Sequence, residues 1–180
     1  LTLSLMEKIS ITFLGTGNAI PTKDRNHSSI LLSYKNENIL IDCGEGTQRQ
    51  FRHLNLSPTK ITRILITHWH GDHILGLPGL FQTLAMSNYS QTLKLYGPRG
   101  TKEFISIIVS LLKGIKIKLE IHELSDSSIE EPDFKIEAKS MSHQTPCNAY
   151  SFIIKDKIRL NKTKLKKLKL PNSPLLKKLQ

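Results

Sequence analysis

Apolar positions along the chain fall into short runs of two different periods. Residues 8–14, K-I-S-I-T-F-L, alternate and are β-branched, which predicts a strand ending in the turn G-T-G-N. Ser29 to Tyr34 and Asn38 to Asp42 predict a hairpin folded around Lys35 to Glu37. Gly46 to Leu54 places long or apolar side chains at helical spacing, and Ile61 to Thr67 reads as a buried strand. A helix is predicted over His73 to Met86, with Gly76, Pro78 and Gly79 as interruptions. Strands are then expected at Leu93 to Tyr96, Ile115 to Leu124, Phe134 to Met141 and Ala149 to Ile154, with a helix at Thr101 to Leu112. Strands early, then strands and helices in alternation, make an α+β chain with helices packed outside its sheets. From Asn161 on, leucines three to five residues apart are broken by Pro171 and Pro174, which predicts a short helix and a turn.

With 180 residues the chain can build one domain with a real core. Its net charge of +11 is uneven: residues 155–180 hold ten Lys or Arg and one acid, a net +9, leaving +2 for the rest. Such a block attracts a polyanion, RNA, DNA or a membrane surface, unless it is simply a solvated face. Cys43 and Cys147 are too few for a disulfide framework and form no C-x-x-C pair, so a reducing, cytoplasmic setting is expected and a structural zinc knuckle is excluded. Apolar stretches such as Ile105 to Leu112 fall short of the roughly 20 residues of a membrane helix. The start lacks a basic region and cleavage site, and the residues before Met6 read as an upstream extension.

The candidate chemistry lies in I-L-I-T-H-W-H-G-D-H, where His68, His70, Asp72 and His73 fall within six positions. In extended backbone, residues two apart point the same way, so His68 and His70 can reach one metal ion. After the turn at Gly71, Asp72 and His73 can face a second position. Imidazole and carboxylate suit zinc, and two such ions about 3.5–4 Å apart can share a water and lower its pKa toward neutrality, which is hydrolytic chemistry. His27, His53 and His122 stand alone and read as core or surface residues.

The pattern T-H-x-H-x-D-H after an apolar strand resembles the metallo-β-lactamase superfamily. That resemblance implies an αββα sandwich with the metal site at one edge. By motif, His68 and His70 would bind a first zinc, completed by His143 of S-H-Q-T-P-C, and Asp72 and His73 a second. Asp42 of I-D-C-G-E-G would orient a ligand without binding metal. Three stretches are further similar to the ribonuclease Z family, endonucleases that remove 3′ trailers from precursor tRNA: F-L-G-T-G-N-A-I-P-T-K-D-R-N-H-S-S-I-L-L, I-L-I-D-C-G-E-G-T-Q-R-Q and T-H-W-H-G-D-H-I-L-G-L-P-G-L.

The resemblance implies that Lys23, Arg25 and Asn26, in the P-x-K-x-R-N loop, place a single-stranded RNA end. It also implies Asp72 as proton acceptor for the attacking water, two zinc ions per complete subunit, precursor tRNA as partner and a homodimer. Residues 1–154 would form the N-terminal part of the sandwich, and 155–180 the start of a basic arm that grips tRNA. Ser173-Pro174 stands where the family has Gly-Pro, which changes the arm's tip. The family's bridging aspartate, His-Glu motif and final zinc histidine have no counterpart. The chain is therefore expected to be the first half of the sandwich, cut from a longer gene or completed by another chain. Two other readings are an arylsulfatase-like or cyclic phosphodiesterase hydrolase on the same fold, and a non-catalytic RNA-binding remnant.

Overall fold

The computed structural model describes residues 8–156 and Lys167; the helix and turn expected after Asn161, and nearly all of the expected arm, lie outside these residues. Six strands form one mixed sheet: β1 (Ile9–Gly15), β2 (Ser29–Tyr34), β3 (Glu37–Ile41), β4 (Arg63–Leu65), β5 (Thr92–Gly97) and β6 (Lys118–Glu123), in spatial order 1 to 6. The β1–β2 and β2–β3 pairs are antiparallel, whereas β3 through β6 are parallel. Parallel pairs need crossovers, and these carry the helices. They are α1 (Thr47–His53), α2 (Gly71–Ile74), α3 (Leu77–Met86) and α4 (Thr101–Leu111). A second sheet holds β7 (Ser127–Glu130), β8 (Phe134–Met141) and β9 (Cys147–Ile154) in that order.

Register explains the core. Leu31, Leu40, Ile64, Leu95 and Ile121 stand side by side across five strands, hence on one face. That face packs against Phe51 of α1, Leu77, Leu80, Phe81 and Leu84 of α3, and Ile105 and Ile108 of α4, with all but the edge residues nearly solvent-free. In α4 the buried residues Thr101, Ile105 and Ile108 recur at helical spacing, which is why this segment coils.

Among the described residues the chain divides into two compact units: residues 8–127 with 138–150, and residues 128–137 with 151–156. The first contains the six-stranded sheet and the histidine cluster. In the second, Phe134 stacks on Phe152 at 4.9 Å, and Lys135 and Lys155 both pair with Glu130.

Three expectations change. The single helix over 73–86 is two, because Gly76 packs on the β3–α1 turn: its N–H donates to Cys43 O at 2.9 Å, and a Cβ there would lie 2.1 Å from Gly44 O. The helical run also begins at Gly71, so Asp72 and His73 belong to α2. The expected strand at 61–67 is only three residues long, since Pro58–Lys60 forms a 3₁₀ turn and the chain leaves the ladder after Leu65. Strand β7, S-S-I-E, carries too short a pattern to be read from sequence.

Candidate metal centre

Parallel strands present their C-terminal ends on one side of the sheet, and loops leaving those ends build the site. Asp42 follows β3 in the left-handed conformation, φ 58°, a region aspartate tolerates better than most residues. The turn carries its buried carboxylate under the loop that leaves β4. There Asp42 Oδ1 accepts the Thr67 N–H at 2.8 Å, and Oδ2 accepts the Thr67 hydroxyl at 2.8 Å. His73 Nδ1 lies 2.6 Å from the same Oδ2.

The structure brings His68, His70 and His143 together. One ring nitrogen from each lies within 4.8 Å of the others, a group that could hold a metal ion. Ring centroids are 4.8 Å apart for His68 and His70, 4.8 Å for His68 and His143, and 5.0 Å for His70 and His143. His143 sits in the loop between β8 and β9, and that loop is tied down by Asn148 N–H donating to Thr67 O at 2.8 Å. The His73 ring lies 4.0 Å from that of His68, tilted at 49°, and turns its Nε2 toward Asp72 Oδ2, 3.4 Å away. Asp72 and His73 thus face each other beside the three-histidine group.

Burial, then the neighbouring His73 charge, pushes the His68 pKa down, which favours the neutral ring that a metal requires. Burial would also lower His73, but the hydrogen bond and negative charge of Asp42 outweigh it and hold His73 above its ordinary value. Cys43, next in sequence to Asp42, is fully buried and pushed up to about 12, so it is an inert thiol. The donor set of imidazole nitrogens with a carboxylate beside them suits zinc or a similar divalent ion.

The loop that holds Lys23, Arg25 and Asn26 is closed on itself by Thr22 N–H to Arg25 O, 3.0 Å, and Arg25 N–H to Thr22 Oγ1, 3.0 Å. Lys23 and Arg25 are exposed, while the Asn26 amide donates to Glu45 O at 2.7 Å and anchors the loop to the turn before α1. These residues line a cleft of about 800 Å³ with Arg49 and His53 of α1. That contribution of α1 was not anticipated, although Arg49 and His53, four apart, share one helix face and so signalled it. Behind the cleft, Gly44 lets the chain pass close to the site: a Cβ there would lie 2.5 Å from Asp72 O. His122, by contrast, stacks on Tyr96 at 5.0 Å and bonds Glu120, apart from the cluster.

Residues 9–165 match the family model described as Anti-Pycsar protein Apyc1. Among curated proteins, ribonuclease Z of Nanoarchaeum equitans is 48% identical over 171 residues, covering 94% of this chain and 54% of that protein. Ribonuclease Z of Methanococcus aeolicus is 41% identical over 177 residues, covering 96% and 55%. The chain therefore spans about half the length of the curated relatives it matches. Among solved structures, the short form of human tRNase Z superposes with a TM-score of 0.73 at 32% identity, covering 80% of this chain and 64% of that one. The metallo-β-lactamase fold protein YhfI of Bacillus subtilis, at 19% identity and a TM-score of 0.68 over 81% and 58% of the two chains, shares the fold. The chain has the metallo-β-lactamase fold, aligns with about half of the ribonuclease Z relatives, and belongs to the family described by the Anti-Pycsar protein Apyc1 model.

Proposed function

We propose that this chain is the N-terminal part of a zinc-dependent endoribonuclease that removes 3′ trailers from precursor tRNA. The observation that carries the reading is the convergence of His68, His70 and His143 beside Asp72 and His73, in a chain 48% identical to a ribonuclease Z. His68, His70 and His143 would hold one zinc ion, and Asp72 with His73 would contribute to a second. Bound zinc supplies Lewis acidity and lowers the pKa of water into the neutral range. Asp72, whose carboxylate stands at the edge of the cluster, accepts the proton of the attacking water as the catalytic base.

Lys23 and Arg25 offer cations to the phosphates of a single-stranded RNA end, and Arg49 adds a third along the same cleft. Asn26 holds their loop in place. The products are a tRNA with a 3′-hydroxyl and a trailer with a 5′-phosphate. Residues 155–180, with ten basic side chains and one acid, begin an arm that grips the tRNA body, while 1–154 belong to the catalytic domain.

The protein works in the cytoplasm as a homodimer. Among the described residues, no helix is long and apolar enough to cross a membrane. Helix α4 supports pairing between copies, for Phe104, Ile107 and Leu111 form an exposed apolar stripe, 41%, 52% and 71% accessible.

The test is to extend this chain to the length of its relatives, load it with zinc and add labelled precursor tRNA. Zinc-dependent release of the 3′ trailer is expected. Binding without cleavage would instead make the protein an RNA-binding remnant.

A further inference from the structure

We infer that Thr67 is a positioning residue that sets His68 in its Nδ1–H tautomer, so that only Nε2 of that ring is left to bind metal. The inference rests on reading His68 as a metal ligand. The Thr67 hydroxyl oxygen lies 2.8 Å from Asp42 Oδ2, 3.1 Å from Asp42 Oδ1 and 2.9 Å from His68 Nδ1. A hydroxyl has one hydrogen and two lone pairs, whereas a carboxylate only accepts. The hydrogen of Thr67 therefore goes to Asp42, and the contact with His68 is a bond only if His68 Nδ1 donates to the hydroxyl oxygen. The opposite assignment would turn the hydroxyl hydrogen to His68 and leave two oxygens with facing lone pairs at 2.8 Å.

The hydroxyl cannot escape by moving its backbone. Thr67 N–H donates to Asp42 Oδ1 at 2.8 Å, and Thr67 O accepts from Asn148 N–H at 2.8 Å. Nor does His73 supply the missing hydrogen, because its Nδ1 lies 2.6 Å from Asp42 Oδ2 but 3.5 Å from Thr67 Oγ1. One carboxylate thus sets two rings, His73 directly and His68 through Thr67. The hydrogen-bond partner on one imidazole nitrogen decides which nitrogen is free to act as ligand.

The test uses the 180-residue chain labelled with ¹⁵N-histidine. Long-range ¹H–¹⁵N correlation on the metal-free protein should show His68 as the Nδ1–H tautomer; the Nε2–H form in the unaltered chain would overturn the inference outright. Thr67→Val keeps the shape and removes the hydroxyl. It should shift His68 toward the Nε2–H form and weaken zinc binding roughly 10–100-fold, the usual effect of losing a partner behind a metal ligand. Thr67→Ser should restore both properties. A Val variant with the unaltered tautomer, or a Ser variant that fails as badly as Val, would sink the idea. A chain that shows the expected tautomer yet takes up no zinc would uphold the role of Thr67 and overturn the metal reading instead.

Discussion

The Asp42 carboxylate meets the His73 ring, Oδ2 to Nδ1 at 2.6 Å, across 31 residues of sequence. Because Nδ1 is taken, Nε2 is the nitrogen of His73 that faces Asp72. Replacing Asp42 by alanine removes this restraint and the acceptor of Thr67 together. Zinc affinity should fall roughly 10–100-fold, measured by competition with a chromophoric chelator. An unchanged affinity would mean that Asp42 serves the fold alone.

If His68, His70 and His143 share one ion and Asp72 and His73 contribute to another, a protein of the relatives' length should hold about two zinc ions per chain. His70→Ala should lower the zinc content measured by atomic absorption and abolish cleavage. Full occupancy in that variant would remove His70 from the site.

The geometry separates the roles of the three loop residues. Lys23 and Arg25 are exposed, so replacing both with alanine should slow precursor tRNA cleavage at least tenfold, the loss of about 1.4 kcal/mol of binding, and barely affect a small phosphodiester. Asn26→Ala loses the bond to Glu45 O and should harm both reactions by loosening the loop. Equal losses on the two substrates from the Lys23 and Arg25 changes would argue against their contact with RNA.

Gly76 has no room for a side chain. The Gly76→Ala change sets a methyl 2.1 Å from Gly44 O and 2.9 Å from Cys43 O, both backbone atoms. Relief requires moving α3 or the turn that carries Asp42, so we expect a loss of more than about 2 kcal/mol in urea unfolding. The same alanine at Gly114, where a Cβ meets nothing within 4 Å, tests backbone conformation without crowding.

Acid should weaken the far end of the sheet. Glu37 is half-buried, and burial would raise its pKa, but bonds from Arg63 and Thr62 outweigh that and hold it below the ordinary value. Arg63 grips it with Nε at 3.0 Å and Nη2 at 3.2 Å, and Thr62 adds a bond of 2.6 Å. A depressed folded pKa means the stabilisation is fully present above the unfolded carboxylate range and is lost as pH falls through the folded value. Glu37→Gln should therefore cost most at neutral pH, and its deficit should shrink on acidification in thermal melts. Arg63→Met, which strands Glu37, should cost roughly 3 kcal/mol at neutral pH.

Local patterns were enough for much of this protein. Alternation in 8–14 and helical spacing in 101–112 report which face is buried, because strand and helix periods are fixed by backbone geometry. Four ligand-type side chains within six residues likewise marked the segment where the structure gathers its histidine cluster. Tertiary structure decided what depends on distant partners. Helix α3 starts afresh at Leu77 because Gly76 packs on a turn more than thirty residues earlier, a contact with no local trace. Arg63 is buried within an apolar strand because Glu37, 26 residues away, neutralises it. Likewise, His143 reaches a ring 73 residues before it, His73 meets Asp42 through Nδ1, and His68 meets the Thr67 hydroxyl through Nδ1. Sequence spacing places a ring near the site, but only the partner on its other nitrogen decides which way its lone pair points.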